Sequence, residues 1–345
     1  MLGKRLLRRT ALGAARTPFF GAFVAALDRA DGGRADTFTV LLYHRIGEPR
    51  SPSRLDPSLI SATPDGFEAQ VAYLASRRHV LSLDELLAVR RGCARLPPRA
   101  VVVTFDDAYR DFAEHAWPAL RRHRVPATLF VPTAYPDRPE RAFWWDRLHA
   151  AVHGTTRPSV SVPWGTLPLQ NHAQRERAFR TLSSAVKALE HDAALELVGA
   201  VEAELDVPPA AGAVLGWDEL RRLAREGLAL APHTRTHPLL DRVDPWRLAD
   251  EIHGSAQDLE RELGAAPRVF AYPGGAHSPA VADAVRRAGY ELAFTTGRGS
   301  NDAKSADWMR LRRTNVGVRA SLAVVRVQLL SRPRRPRPAL RAARA

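Results

Sequence analysis

Short apolar runs alternate with amphipathic segments along most of the chain. Residues 37–43, 100–103, 127–131 and 228–231 are rich in apolar and β-branched side chains, which is typical of strands buried on both faces. Amphipathic segments that fit helices lie between these runs. The alternation predicts a parallel sheet wound by helices.

Local signals predict where several helices begin. Thr63 precedes Pro64, a residue favoured at the first position of a helix. Ser82 and Glu85 have the spacing of a capping box. We also expect a helix over residues 108–124, directly after the second predicted strand.

The rhythm changes over residues 135–215, where aromatic and helical sequence replaces the strand–helix alternation. We interpret this stretch as a helical insertion at one loop. The alternation resumes at Trp217, and the last strand is predicted over residues 311–316. With about seven strand–helix units, residues 37–320 are expected to form one α/β domain that carries the insertion.

Two adjacent carboxylates, Asp106 and Asp107, end the second predicted strand. A buried carboxylate must be paired, hydrogen-bonded or bound to a cation to offset its lost hydration. His233 and His237 follow a later strand, and two imidazoles four residues apart can face one ion from a helical turn or a tight loop. Asp107 is the candidate third ligand of a facial set with open positions, which leaves Asp106 to act on a water. The pattern favours hydrolysis.

Other polar or glycine-containing motifs also follow predicted strands. In a parallel barrel, catalytic residues lie at these strand ends. His44 ends the first strand, although a histidine there is more often a structural hydrogen-bonding residue than a catalyst. Pro273 and Gly274 form a turn after a later strand. Trp144 and Trp145 fit core packing of the insertion and a sugar-stacking platform equally well.

Composition excludes little, but the charge is unevenly placed. The chain has 345 residues, 45% of them hydrophobic, and a net charge of +14. Residues 1–16 and 332–345 together carry eleven basic residues and no acid, so the body between them is nearly balanced. We therefore expect no specific nucleic-acid site, and we interpret residues 321–345 as a basic tail able to touch anionic lipid or polymer weakly. Cys93 is the single cysteine, which excludes an internal disulfide.

Residues 1–36 have the basic-then-apolar order of an export signal. A signal, an interfacial helix carrying Phe19, Phe20 and Phe23, and a plain N-terminal helix all fit this sequence. No stretch reaches the roughly twenty apolar residues that a membrane span needs, so no span is predicted. The cell envelope or secretion in a bacterium is the favoured location, and a cytoplasmic location is the alternative.

A set of short motifs, in this order, closely resembles the polysaccharide deacetylase family, the carbohydrate esterases that share the NodB homology domain. The main motifs are TFDD at 104–107, HTRTH at 233–237 and FAYPGG at 270–275. YHR at 43–45, FWWD at 143–146 and a late R-x-x-V at 313–316 extend the resemblance over about residues 38–318. The version here is most similar to the branch that deacetylates poly-N-acetylglucosamine in biofilms.

The resemblance implies an irregular (β/α)7 barrel and a divalent metal, zinc or another divalent ion, held by Asp107, His233 and His237. It implies that Asp106 is the general base in the hydrolysis of an N-acetyl group and that His44 protonates the departing sugar amine. The metal and a backbone amide near Gly274 would stabilise the oxyanion. The expected oxyanion and substrate-binding residues are Tyr272, Pro273, Gly274, Trp144, Trp145 and Arg313.

The chain departs from the family pattern at two positions. Most relatives have glycine where this chain has Ala108, and many have an arginine that orients the base where this chain has Ala271. Either Arg313 reaches Asp106 instead, or the base is less restrained. A late leucine–histidine motif is also missing, which is why the acid role is given to His44, with His277 as the nearby substitute.

The sequence leaves several functions to compare. Alongside the deacetylase of an N-acetylated glycan, Ala108 and Ala271 would suit a carbohydrate-binding relative without turnover. A metal-dependent deacetylase of a lipid-linked sugar precursor presents the same acetamide chemistry. In a further alternative, the barrel is only a platform and the basic tail binds a membrane surface or nucleic acid.

Overall fold

The computed structural model describes residues 18–30, 36–49, 54–208, 210–265 and 267–330. The helices α1 to α12 are Pro18–Ala30, Pro64–Arg77, Leu83–Arg90, Trp117–Arg122, Trp144–Gly154, His172–Ala188, His191–Leu205, Trp217–Arg225, Pro245–Ala249, Ser255–Leu263, Pro279–Arg287 and Leu322–Leu329. The strands β1 to β13 are Thr37–Tyr43, Arg45–Ile46, Ile60–Ala62, His79–Val80, Ala100–Asp106, Thr128–Val131, Ser159–Val162, Gly165–Pro168, Ala229–Pro232, Val269–Ala271, Leu292–Phe294, Asn301–Asp302 and Thr314–Asn315.

Parallel strands form most of the barrel wall. β1, β5, β6 and β9 pair in that order, with Tyr43 opposite Phe105 and Phe130 opposite Ala231. β10 pairs with β11, and β13 pairs with β1. Each of these strands runs in the same direction as its barrel neighbour, so their carboxyl ends share one rim. The predicted α/β architecture is confirmed.

The barrel wall is irregular on either side of the β10–β11 pair. The segment between β11 and β13 closes one side, because the Leu311 amide donates to the Ala293 carbonyl at 2.9 Å. On the other side, β9 and β10 belong to separate sheets within the described residues. There the His233 ring spans the two strands through a 2.7 Å hydrogen bond between its Nδ1 atom and the Ala271 carbonyl.

The predicted helix starts are present, with one exception. Thr63 Oγ1 accepts from the Gly66 amide at 3.2 Å, and Ser82 and Glu85 form a reciprocal capping box. The helix expected over residues 108–124 begins later, with a π-helical turn at Phe112–Ala116 and then α4. The left-handed backbone after β5, described below, prevents a helix from starting at 108.

The insertion follows β6 and contains α5, α6 and α7. Between α5 and α6 it also has an antiparallel hairpin, β7 and β8, which the periodicity did not predict. Its helices enclose their own apolar cluster, which includes Leu148, Val160, Leu182 and Val198. The Leu215 amide donates to the Ala108 carbonyl at 2.9 Å, so the insertion returns to the barrel beside the end of β5.

Two terminal helices pack against each other and against the barrel. α1 lies inside the predicted N-terminal segment and α12 inside the predicted tail. Residues 1–17 and 331–345 lie outside the described residues, and with them most of the predicted basic segments.

Among the described residues, each helix is too short or too polar to cross a membrane. Cys93 is exposed.

Candidate functional site

The acidic pair sits on a tight backbone turn at the carboxyl end of β5. Asp106 is the last residue of the strand, and Asp107 and Ala108 follow with φ angles of 76° and 52°. Two successive left-handed residues other than glycine are uncommon, and such strain collects at functional sites. The turn directs both buried carboxylates towards the same rim of the barrel, where they are 2% exposed.

The two histidines are presented by a tight loop after β9 rather than by a helical turn. Thr234 and His237 have positive φ angles of 64° and 61°. The Thr234 side chain fixes the loop, because its Oγ1 atom accepts from the His237 amide at 3.0 Å. The loop brings the two imidazole rings to a centroid distance of 4.8 Å at 75°.

Asp107, His233 and His237 converge on one point. Asp107 Oδ1 lies 3.6 Å from His233 Nε2 and 3.2 Å from His237 Nε2. One ligand atom from each residue lies within 4.8 Å of the others, a spacing that can hold a metal ion. The three residues predicted as ligands are therefore brought together from the ends of β5 and β9.

The donor set fits a divalent cation. His233 Nδ1 is held by the Ala271 carbonyl, which presents Nε2 towards the carboxylates, the usual support for a metal-binding histidine. Burial lowers the pKa of His233 to about 4, so the ring is neutral at pH 7 and can act as a ligand. Asp107 Oδ1 is buried without a hydrogen-bond partner among the described residues, although such groups are normally satisfied. One carboxylate and two imidazoles are typical zinc ligands.

The electrostatics keep both carboxylates ionised. Burial alone would raise the pKa of Asp107, but the His237 imidazole 3.2 Å away holds that pKa well below its usual range. For Asp106, the effect of burial is outweighed by the charge of the paired Arg313 guanidinium, so the pKa is lowered. The site therefore presents two negative carboxylates, an arrangement that attracts a cation.

Arg313 makes the predicted contact with Asp106. Its Nη1 and Nη2 atoms donate to the two carboxylate oxygens of Asp106 at 2.7 Å each, and both side chains are buried. Arg313 Nε also donates to the Thr295 carbonyl at 2.9 Å, which fixes the guanidinium plane. A bidentate pair of this kind sets both the charge and the orientation of the carboxylate.

His44 lies at the end of β1, on the same rim. Its backbone amide donates to Ser61 Oγ at 2.9 Å, and its side chain is half-buried. Its ring is close enough to contribute to the lowered pKa of both Asp106 and Asp107. His44 is therefore a candidate for proton transfer beside the acidic pair.

The turn after β10 combines a buried tyrosine with an exposed glycine. The Tyr272 side chain is fully buried and its hydroxyl donates to the Met309 carbonyl at 2.9 Å, so it has a packing role and its predicted substrate contact gains no support. Pro273 begins a short 3₁₀ turn. Gly274 has a φ of 59°, and a Cβ atom there would lie 3.0 Å from Leu239, two residues after His237. Gly274 therefore borders the histidine loop.

The two tryptophans occupy different environments. Trp145 is buried, stacks on Phe143 at 4.5 Å and packs edge-on against the His237 ring at 4.9 Å. It supports a candidate ligand and is not an open sugar platform. Trp144 lines a groove with His191, His237, Leu239 and Arg242, so its predicted sugar contact stays compatible with the geometry.

Sequence reasoning missed the acid that shapes the histidine loop. Glu251 is buried and accepts from the Arg235 amide at 2.8 Å and the Thr236 amide at 2.9 Å. It also accepts from the Thr236 hydroxyl. The sequence signal was weak, because Glu251 lies between Asp250 and Ile252, and only the fold shows that this segment lies behind the loop.

A second missed group joins the insertion to the barrel. Asp146 is buried and accepts from the Asp56 amide at 2.7 Å and from the Tyr109 hydroxyl at 2.6 Å. The same Tyr109 hydroxyl accepts from Trp145 Nε1 at 2.8 Å. Burial raises the pKa of Asp146 to about 7. The FWWD motif thus supplies both the ring against His237 and the acid behind it.

Known proteins resemble the chain over different spans. The poly-beta-1,6-N-acetyl-D-glucosamine N-deacetylase of Staphylococcus aureus (strain MSSA476) is 33% identical over 76 residues, which is 22% of this chain and 26% of that protein. The chain thus matches about a quarter of this curated relative.

Solved structures share the fold over most of the chain. The Streptococcus pyogenes deacetylase PplD in complex with acetate has a TM-score of 0.58 at 20% identity, covering 86% of this chain and 99% of that one. IcaB from Ammonifex degensii has a TM-score of 0.56 at 19% identity, covering 86% and 98%. The model of the polysaccharide deacetylase family matches residues 94–293, more than half of the chain. This chain therefore belongs to the polysaccharide deacetylase family.

Proposed function

We propose that this protein is a metal-dependent hydrolase that removes N-acetyl groups from glycans containing N-acetylglucosamine and releases acetate. The observation that carries the proposal is the convergence of Asp107, His233 and His237 beside the paired Asp106 and Arg313. The three candidate ligands and the candidate base come from two strand ends and need no rearrangement to act together.

Asp107, His233 and His237 would hold the divalent cation, with zinc the ion best matched to these donors. When bound, the cation would supply positive charge that polarises an acetamide carbonyl and makes a nearby water more acidic. The Ala271 carbonyl and the Trp145 ring keep the two histidines oriented.

Asp106 would take the proton from the attacking water. It enters the reaction as a carboxylate, since Arg313 holds its pKa below the usual range. Arg313 engages each Asp106 oxygen from one side, and each oxygen keeps a second lone pair for a water. The arginine thus takes the orienting role that relatives give to the position of Ala271, which weakens the argument for a relative without turnover.

His44 would donate a proton to the sugar nitrogen as the carbon–nitrogen bond breaks, which yields acetate and the free amine. The amide of Gly274 is the candidate backbone donor to the oxyanion, because it borders the histidine loop and carries no side chain. Both groups belong to the rim that holds the acidic pair.

A poly-N-acetylglucosamine is the substrate class best supported. The matched staphylococcal relative is named as a deacetylase of the β-1,6-linked polymer. The groove beside His237 is lined mostly by aliphatic side chains such as Leu239, and it also contains the Trp144 ring and the polar groups of His191 and Arg242. An aromatic ring beside polar groups is compatible with contact to a sugar.

The test is acetate release from β-1,6-linked and β-1,4-linked N-acetylglucosamine oligomers, with and without added zinc. We expect zinc-dependent release, fastest with the β-1,6-linked oligomer, and loss of release after chelation. An acetylated peptide and a lipid-linked N-acetylglucosamine are the comparison substrates. Oligomer binding without acetate release from any glycan, in zinc-loaded protein, would favour the carbohydrate-binding alternative and reject the proposal.

A further inference from the structure

The helix pair α1 and α12 leaves an apolar surface exposed. Phe23 is 56% exposed, Leu27 is 47% exposed and Val327 is 43% exposed. Ala22 and Ala26 are exposed on the same stretch of α1. We call these five residues the α1–α12 face. Ala22, Phe23, Ala26 and Leu27 share one side of α1, and α12, which carries Val327, packs against α1. Singly scattered apolar residues would need no explanation.

The opposite side of the helix pair is firmly attached to the barrel. Val24, Val325 and Leu329 are buried. Asp28 accepts from the Tyr73 hydroxyl at 2.8 Å and is paired with Arg78 in a buried contact. The α1–α12 face therefore belongs to a docked element and is held in place by the fold.

Basic sequence adjoins the face on both helices. Residues 1–17 lead directly into α1 and contain five basic residues, and residues 331–345 follow α12 and contain six. Neither segment contains an acid. Within α1 and α12 the only acid is Asp28, which is buried and paired with Arg78. Eleven basic residues are thus close in sequence to the two helices that carry the face.

We propose that the α1–α12 face docks on the surface of an anionic lipid bilayer. An apolar helix face buries its side chains at the boundary between headgroups and acyl chains, and adjoining basic segments are attracted to anionic headgroups. A site for an anionic polymer would need the charge but not Phe23 and Leu27. This inference does not depend on the proposed deacetylase activity.

The test is co-sedimentation of the full chain with vesicles of phosphatidylcholine alone and of phosphatidylcholine mixed with phosphatidylglycerol. We expect binding to the mixed vesicles that weakens with added salt. The double variant Phe23→Ser and Leu27→Ser should bind the mixed vesicles about tenfold more weakly or worse. Because both side chains are exposed, its thermal unfolding and its acetate release from soluble oligomers should match those of the wild type.

Trp164→Ser is the matched control, because Trp164 is 49% exposed on the β7–β8 hairpin of the insertion. It should bind vesicles as the wild type does. Three results would each overturn the proposal: no binding to mixed vesicles at low salt, equal binding by the double variant and the wild type, or equal binding to the two vesicle types. A dimer that the double variant breaks, without vesicle binding, would assign the face to a second copy of the chain.

Discussion

Asp106 and Asp107 are neighbours in sequence with the same side chain, yet they have different partners. Asp106 is paired with Arg313, whereas Asp107 Oδ1 faces both imidazoles and has no hydrogen-bond partner among the described residues. The neighbouring side chains, and not the residue type, therefore make Asp106 the candidate base and Asp107 the candidate ligand.

We predict that Asp107→Ala loses tight zinc binding, whereas Asp106→Asn keeps the metal and loses acetate release by about 10² or more. The physical reason is that only Asp107 presents an unpaired oxygen to both histidines. The measurements are zinc titration against a competing chelator and acetate release at saturating zinc.

A surface cluster requires a control in this titration. His153, His172 and Glu176 also lie within ligand distance of one another, on the insertion. The titrations should therefore be made in a His172→Ala background. Equal loss of zinc by the Asp106 and Asp107 variants would reject the division of roles.

Arg313 is fully buried, so its charge is tolerated only because Asp106 neutralises it. We predict that Arg313→Met lowers the free energy of unfolding by about 3–5 kcal/mol at pH 7, because it leaves a buried carboxylate without its partner. Arg313→Lys keeps the charge but loses the bidentate contact. Its free energy of unfolding should therefore lie between that of the wild type and that of Arg313→Met. Urea unfolding in metal-free buffer measures the effect.

The free energy of unfolding lost in Arg313→Met should depend on pH in a defined direction. The pKa of Asp106 is lowered in the folded state, so the pair contributes its stability above the ordinary value of 3.8 and loses it as the pH falls further. The gap between wild type and Arg313→Met should therefore shrink in acid. Arg312→Met is the control, with an expected change below about 1 kcal/mol. A similar loss for both arginines would contradict the role of Arg313.

At the scale of elements, the histidine loop after β9 is shaped by the π-helical turn Asp250–Gly254 behind it. Glu251 on that turn accepts from two successive loop amides, those of Arg235 and Thr236. The loop needs this support because Thr234 and His237 hold left-handed backbone angles. The geometry of the candidate metal ligands thus depends on an element distant in sequence.

We predict that Glu251→Ala weakens zinc affinity by about 10-fold or more, the usual effect of removing support behind a ligand. Glu251→Gln keeps an oxygen that can accept from both amides and should restore most of the affinity. The readouts are the zinc titration and amide hydrogen exchange of residues 234–237. Glu260→Ala, an exposed position on α10, should change neither. Equal zinc affinity in Glu251→Ala and the wild type would contradict the supporting role.

At the scale of the whole molecule, Asp146 connects three parts of the chain. It lies on α5 of the insertion, accepts from Asp56 in the loop before β3, and accepts from Tyr109 just after β5. Through Tyr109 and Trp145 the same network reaches the His237 ring. The insertion is therefore part of the wall of the candidate site.

We predict that Asp146 makes the stability of the protein fall as the pH rises from about 4 to about 7. Burial raises its folded-state pKa from 3.8 to about 7, so the protonated form is favoured on folding and that stabilisation is lost with rising pH. The variant Asp146→Asn cannot titrate, so its stability relative to the wild type should increase over this range. Urea unfolding at pH 5 and pH 8 measures the change. Asp283→Asn, an exposed acid, should show no such trend, and a pH-independent difference for Asp146→Asn would refute the prediction.

The sequence by itself determined the strand–helix alternation, most helix starts and the candidate ligands Asp107, His233 and His237. These features depend on local rules: burial pattern, capping and the cost of carboxylates at the end of a buried strand. Pattern alone did not give the late helix start after β5, since two left-handed residues depend on the surrounding packing. The hairpin β7–β8 was missed for a similar reason, because its pairing is decided within the insertion.

Only the tertiary structure decided which distant groups support the site. Arg313 reaches Asp106, Glu251 holds the histidine loop and Asp146 joins the insertion to the barrel, each across a long stretch of chain. Sequence reasoning named the Arg313 contact as one of two options. It expected Tyr272 to contact the substrate and left Trp145 between core packing and sugar stacking, and the fold buries both side chains. Such contacts depend on how the barrel closes and on where the insertion packs, and both follow from the summed packing of many weak contacts rather than from any local pattern.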